Sequence, residues 1–220
     1  WYADVKGGED QNGDYNLGDL HLDLYLTGDV DGSNIGQVGD ADAPYVGTIN
    51  GNGYTINNLE ISNASDATRT GFVGELGTQG VVENLIVDAK IDGGRNMGAI
   101  VGYNNGGRVS NCETTATTVV TNINEDLKGA TMLGGVVGYN IEGIVENCIN
   151  RATVIGGKGM YVGGVAGENY RKDNCIIRNC INYGDVTGYE NVGGVVGINH
   201  RVVHSCHNEG SVTGVVGVGG

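Results

Sequence analysis

One recurring block limits what this chain can fold into. A glycine-closed apolar run occupies residues 70–74, 98–102, 134–138, 163–167 and 193–197, and reads GGVVG in its fullest form. The closing glycines Gly74, Gly102, Gly138, Gly167 and Gly197 stand 28, 36, 29 and 30 residues apart. Each block leads to a second shared position: Leu85, Cys112, Cys148, Cys180 and Cys206. Six residues further on stand Ile91, Thr118, Val154, Val186 and Val212, with the small residues Ala89, Ala116, Ala152, Gly184 and Gly210 in between. Near-copies of this length cannot bury an apolar face alone, so they must stack on one another.

Asparagine marks three further columns. Asn84, Asn111, Asn147 and Asn179 precede the Leu or Cys, and Asn150, Asn182 and Asn208 follow it by two. Asn104, Asn140, Asn169 and Asn199 lie two past the closing glycine. Ordinary turn preference would explain one such column. Three at fixed offsets indicate coils lying directly on one another about 4.8 Å apart, with side-chain amides bonded in ladders. No stretch has helical apolar periodicity with capping signals, which excludes leucine-rich and ankyrin-type repeats. A propeller blade needs about forty residues and four strands. The sequence therefore predicts an all-β chain: a right-handed parallel β-helix with three short strands per coil. Forty-two glycines against one proline fit many short strands, without the three-residue period of collagen. One Phe and one Trp require a thin aliphatic core.

Residues 1–45 are expected to form an N-terminal cap with entry strands, and residues 46–220 the β-helix repeats, as one continuous structural domain. Leu20, Leu22, Leu24 and Leu26 alternate with polar residues, the pattern of a half-buried strand. Residues 218–220 repeat the opening at 192–194, which predicts a segment cut inside a repeat of a longer polypeptide. The longest coil, between Gly102 and Gly138, carries its extra residues around 113–131. Such an excursion is either a binding loop or a surface insertion, and loop energetics tolerate the latter easily.

The formal charge of −14 disfavours nucleic acid and anionic membranes as partners. No run of about eighteen apolar residues predicts a membrane span. The start at Trp1, without a basic then apolar segment, points to a removed leader or an internal fragment. Candidate chemistry is sparse. His-Glu-x-x-His is absent, and the histidines are His21, His200, His204 and His207. The spacing of His200 and His204 suits zinc on a helix, but this region reads as strand and turn. Five cysteines, Cys112, Cys148, Cys175, Cys180 and Cys206, invite disulfides. Parallel Cβ vectors in one column oppose bridging, and Leu85 in that column marks an apolar slot, so a ladder of free thiols is expected. Asp10, Asn12 and Asp14 have calcium-loop spacing, as do Asp29 and Asp31, but Tyr15 and His21 stand where glycine and glutamate belong. Asp185 and Ser211 share a column with Thr153, Thr117 and Lys90, which builds no acidic cluster. No catalytic, cofactor-binding or metal-binding residue is predicted, and no cofactor.

The segment Gly47-Thr48-Ile49-Asn50-Gly51-Asn52-Gly53-Tyr54-Thr55-Ile56, followed by Asn58-Leu59-Glu60-Ile61, resembles a recurrent opening in bacterial surface proteins. The later Gly-Gly-Val-Val-Gly-Tyr-Asn and Glu-Asn-Cys blocks are similar to GLUG repeats, so the resemblance spans roughly residues 20–220. Proteins of this kind include cell-surface adhesins and the N-terminal repeat regions of immunoglobulin A1 protease-like metallopeptidases. The resemblance implies a secreted or surface-attached module without catalytic residues. It would be an adhesin or stalk segment facing a host protein or glycan, or the accessory region of such a peptidase. A polysaccharide-active β-helix is the enzymatic alternative, and it would require carboxylates gathered on neighbouring coils.

Overall fold

A computed structural model describes residues 2–5, 22–63, 68–122, 131–158, 161–170 and 172–220. Every regular element among them is a β-strand, and the stacked parallel strands form a β-solenoid of about 6 turns. The coil around Gly138 shows the unit. Met132–Gly134 lies in a first sheet, Val137–Ile141 in a second and Ile144–Glu146 in a third. Ile149–Asn150 and Thr153–Ile155 both belong to a fourth.

Two of the three segments legible in the sequence are thus each cut in two. At Gly134 the cause is steric, because an added Cβ would collide with the Val137 carbonyl oxygen and the Ala166 Cα. Gly98, Gly163 and Gly193 stand in the same relation to Val101, Ala166 and Val196, so in these four coils the position admits glycine alone. Within the third segment the chain kinks inward at the small column, where a Cβ on Gly184 would strike the Ala152 carbonyl. The corner before Leu85 and before each cysteine of its column uses the left-handed conformation: Asn84 and Asn111 have φ 52°, Asn147 and Asn179 φ 54°, and Ser205 φ 55°. Asparagine tolerates that region best among residues with a side chain. At this corner the turn preference and the ladder act together, since Asn179 Nδ2 donates to Asn147 Oδ1 at 3.2 Å.

Register along the axis is strict. Val82, Val109, Val145, Ile177 and Val203 pair in succession, and the first four are fully buried. Each such aliphatic side chain contributes roughly 1.5–3 kcal/mol on burial. The single Phe, Phe72, is also fully buried. Two interior ladders run through this aliphatic core. Asn104 donates to Asn140, Asn140 to Asn169 and Asn169 to Asn199, at 2.8, 2.8 and 2.9 Å. Asn150 donates to Asn182 and Asn182 to Asn208, both at 2.7 Å, and Thr114 caps the start by donating to Asn150 Oδ1 at 2.7 Å. The first ladder starts less well: Asn104 is paired with Leu76, and its Oδ1 is buried without a hydrogen-bond partner.

One sequence column needs correction. Val120, not Thr118, pairs with Ile91 and Val154, so two extra residues enter between Thr114 and Val119. Ala116 is pushed out to solvent, away from the small column. Thr118 turns its hydroxyl inward, donating to the Val87 carbonyl at 3.0 Å and accepting from the Ala89 amide at 3.1 Å. The rest of the long excursion, residues 123–130, lies outside the described residues. At the other end, parallel stacking begins with Leu22–Tyr25, where Leu24 pairs with Ile49, while Tyr2–Val5 adds on antiparallel.

Candidate functional site

Two interruptions of the repeat meet at one place. The strand Ile86–Asp92 runs unbroken through the fourth sheet. On one side it meets Thr55–Ser62, whose register shifts by one residue between Ile56 and Leu59, a β-bulge at Asn57-Asn58. On the other side it meets the coil carrying the two-residue insertion at 115–118. Both neighbours therefore leave register opposite residues 87–90. Asn58 takes φ 56° there, and bulges commonly re-aim side chains at functional positions. The result is a cleft of about 210 Å³ lined by Asn58, Leu59, Glu60, Asp88, Ala89, Lys90 and Thr117.

Its polar groups are already ordered. The hydroxyls of Thr115 and Thr117 both donate to Asp88 Oδ1, at 3.0 and 2.6 Å. Among the described residues no donor reaches Oδ2. Lys90 Nζ donates to Glu60 Oε1 at 3.2 Å, with both side chains exposed. Asn58 Nδ2 reaches back to Asp31 Oδ1 at 3.4 Å. The lining thus combines two carboxylates, an ammonium, a carboxamide and a hydroxyl over a floor of strand backbone. Sequence columns could not reveal it, because equal offsets from Cys112 put Thr117 where the fold puts Val119. The only sequence signal is the departure of residues 113–118 from the pattern of the other coils.

Where they fall among the described residues, the histidines, cysteines and aspartates singled out by sequence contact their own or a neighbouring coil. His200 lies 3.4 Å from Glu168, His204 contacts Ser205 at 3.2 Å, and His207 lies 3.5 Å from Glu209. His204 belongs to the third sheet and His207 to the fourth, so chain proximity does not gather the three. Among the described residues no group of three or more His, Cys, Asp or Glu side chains is placed to hold a metal ion. All five cysteines are free. The thiols of Cys112, Cys148 and Cys180 each donate at 3.2 Å to a carbonyl two residues back, at Ser110, Glu146 and Arg178. The neighbouring thiol of Cys112, with burial, pushes Cys148 well above its ordinary value, and Cys180 does the same to Cys206. Asp29 Oδ1 accepts from the Thr55 amide at 2.8 Å, and Asp31 Oδ1 from Ser33 at 3.1 Å and from Asn58. The Ser33 and Asn58 bonds hold Asp31 below the usual carboxylate range. Asp185 accepts from the Ser211 amide at 3.1 Å. These carboxylates tie one coil to the next. Asp10, Asn12, Asp14 and His21 lie outside the described residues.

Two exterior clusters complete the surface. Burial pushes the Glu146 carboxyl up, but bonds and charges from Arg108 and Arg178 outweigh it and hold the group below its ordinary value. Arg108 Nε and Arg178 Nε each donate to it at 2.7 Å, so one carboxylate joins three successive coils. Tyr103, Tyr139, Tyr170 and His200 stack edge to face with centroids 5.2, 5.4 and 6.3 Å apart. Burial raises the Tyr103 and Tyr139 hydroxyls above their ordinary values. The Arg69 guanidinium sits 4.6 Å over Tyr103. The rings engage one another and that guanidinium, which makes the column a brace along the rod.

Fold and surface together define a repeat-built parallel β-solenoid with a polar side cleft where two coils leave register. Residues 129–155 match the model of the GLUG motif. The chain is 45% identical over 74 residues to Halomucin from Haloquadratum walsbyi (strain DSM 16790 / HBSQ001). That match takes in 33% of the chain and 1% of the relative, so the chain spans a very small part of that protein. No solved structure matches the chain. No helix of the described residues is long and apolar enough to cross a membrane.

Proposed function

We propose that this chain is a non-catalytic extracellular surface module, a stiff segment of a secreted or surface-attached protein whose side face recognises a host protein or glycan in the manner of an adhesin. The observation that carries the reading is the in-register stacking of the coils along the third sheet, braced inside by asparagine ladders and outside by the Arg108–Glu146–Arg178 bridge. A solenoid whose repeats each contact their neighbours makes a rod with long lateral surfaces, a form suited to presentation. The GLUG motif and the stretch shared with a relative named Halomucin support the same placement. The two carboxylates of the cleft are held by donors from the next coil, which suits binding more than bond cleavage.

The test has two readouts. Antibody raised to the chain should label intact cells of the source organism, and labelling that appears only after lysis overturns the extracellular placement. Purified chain should release no reducing ends from a panel of soluble polysaccharides. Release that disappears in Glu60→Gln and Asp88→Asn would instead make the cleft catalytic.

A further inference from the structure

We propose that the cleft over residues 87–90 binds one neutral sugar unit of a glycan, which rests on the reading of the chain as a recognition module and names its ligand class. Size comes first. Pockets for drug-sized ligands run to roughly 300–1,000 Å³, whereas this cleft holds about 210 Å³, room for a single ring.

The lining then selects the chemistry. A sugar ring presents adjacent hydroxyls, each both donor and acceptor, and the cleft offers both complements within one coil spacing. Asp88 and Glu60 accept, Lys90 and Asn58 supply N–H donors beside them, and the Thr117 oxygen, its proton given to Asp88, adds a further acceptor. Asp88 is fixed for this task, since two threonine hydroxyls anchor Oδ1 and leave Oδ2 for a ligand hydroxyl. Lys90 Nζ spends one of its three N–H donors on Glu60 in the hydrogen bonds described.

Charge sets the last restriction. Two carboxylates against one ammonium, with Asp31 bonded to Asn58 at the rim, leave the cleft net negative. Uronic and sialic acids are disfavoured on that ground, and neutral hexoses and N-acetylhexosamines are admitted. The neighbouring coils support the assignment by their irregularity. The bulge at Asn57-Asn58 and the insertion at 115–118 open the same few residues from opposite sides, while the coils further along keep register there.

The test is a titration of isotope-labelled chain with glucose, galactose, mannose, N-acetylglucosamine and glucuronate, followed by amide shifts. At least one neutral sugar should give saturable shifts confined to residues 57–60, 87–91 and 115–118, with glucuronate giving none there. Asp88→Asn should weaken that binding about tenfold or more, the factor one charge-assisted hydrogen bond represents. Lys90→Gln removes the charge of an exposed side chain and should weaken it without altering the spectrum elsewhere. No saturable shift with any neutral sugar, tighter binding of glucuronate, or the same residues shifting with calcium chloride alone would each overturn the proposal. The first of these leaves the surface-module reading intact, since cell labelling and reducing-end release decide that reading.

Discussion

Replacing Asn140 by alanine removes the centre of the longer interior ladder. Its side chain accepts from Asn104 Nδ2 at 2.8 Å and donates to Asn169 Oδ1 at 2.8 Å and to the Gly143 carbonyl at 3.0 Å. Asn104, Asn140 and Asn169 are all fully buried, so no water stands ready to replace the lost partner. Each buried group left unpaired costs roughly 1–3 kcal/mol. Two side-chain atoms orphaned together give roughly 2–6 kcal/mol, a large share of the roughly 5–15 kcal/mol typical of a folded domain. Asn179 in the corner column provides the contrast. It is exposed and its ladder bond is 3.2 Å, so its role rests on φ 54°. Asn179→Ala should cost about 1–2 kcal/mol, the penalty of a left-handed residue with a Cβ, and Asn179→Gly should be nearly neutral. Glycine at Asn140 should rescue nothing. Urea denaturation followed by far-ultraviolet circular dichroism measures all four variants. The reasoning fails if Asn140→Ala costs no more than Asn179→Ala, or if Asn140→Gly restores stability.

Three further outcomes follow. Glu146 is held below its ordinary value in the fold, so its contribution is present above the unfolded-state value near 4.5 and fades as pH falls through the lower folded value. Stability measured against pH should therefore drop on the acid side in the wild type and drop less in Glu146→Gln; equal acid limbs would refute the bridge. The thiols of Cys148, Cys180 and Cys206 are raised by their neighbours and by burial. Alkylation at pH 8 should be slow at these sites in the folded chain, and all five cysteines should be modified once it is denatured; mass spectrometry finding fewer would mean a disulfide. Gly134→Ala drives a Cβ into backbone and should cost more than about 3 kcal/mol, whereas Gly53→Ala, with open space but φ 81°, should cost about 1 kcal/mol by the same denaturation assay.

The repeat was legible in the sequence because stacking forces like residues into one column, and the amides of Asn147 and Asn179 meet as their spacing implies. The strand count was less legible. Val136 and Val137 look like one run with Gly134, yet the close approach of Val137 carbonyl to Gly134 breaks it. Glycine also proved to serve close approach more than positive φ, since among the described residues eight left-handed positions belong to asparagine and five to glycine. The cleft was hidden for a definite reason. Thr118 lies six residues past Cys112, where the other coils have a core aliphatic, and only hydrogen bonding shows that Val120 takes that place. Asp88 and Glu60 then share a cleft through a bulge and an insertion, neither of which leaves a spacing motif.

Interstrand nuclear Overhauser contacts on labelled chain address the stacking itself. Contacts should run from Val109 to Val145, from Val145 to Ile177 and from Ile177 to Val203, with the side-chain amides of Asn140 and Asn169 seeing each other. Any other partner for Ile177, or Asn140 and Asn169 out of mutual reach, would contradict the in-register coil.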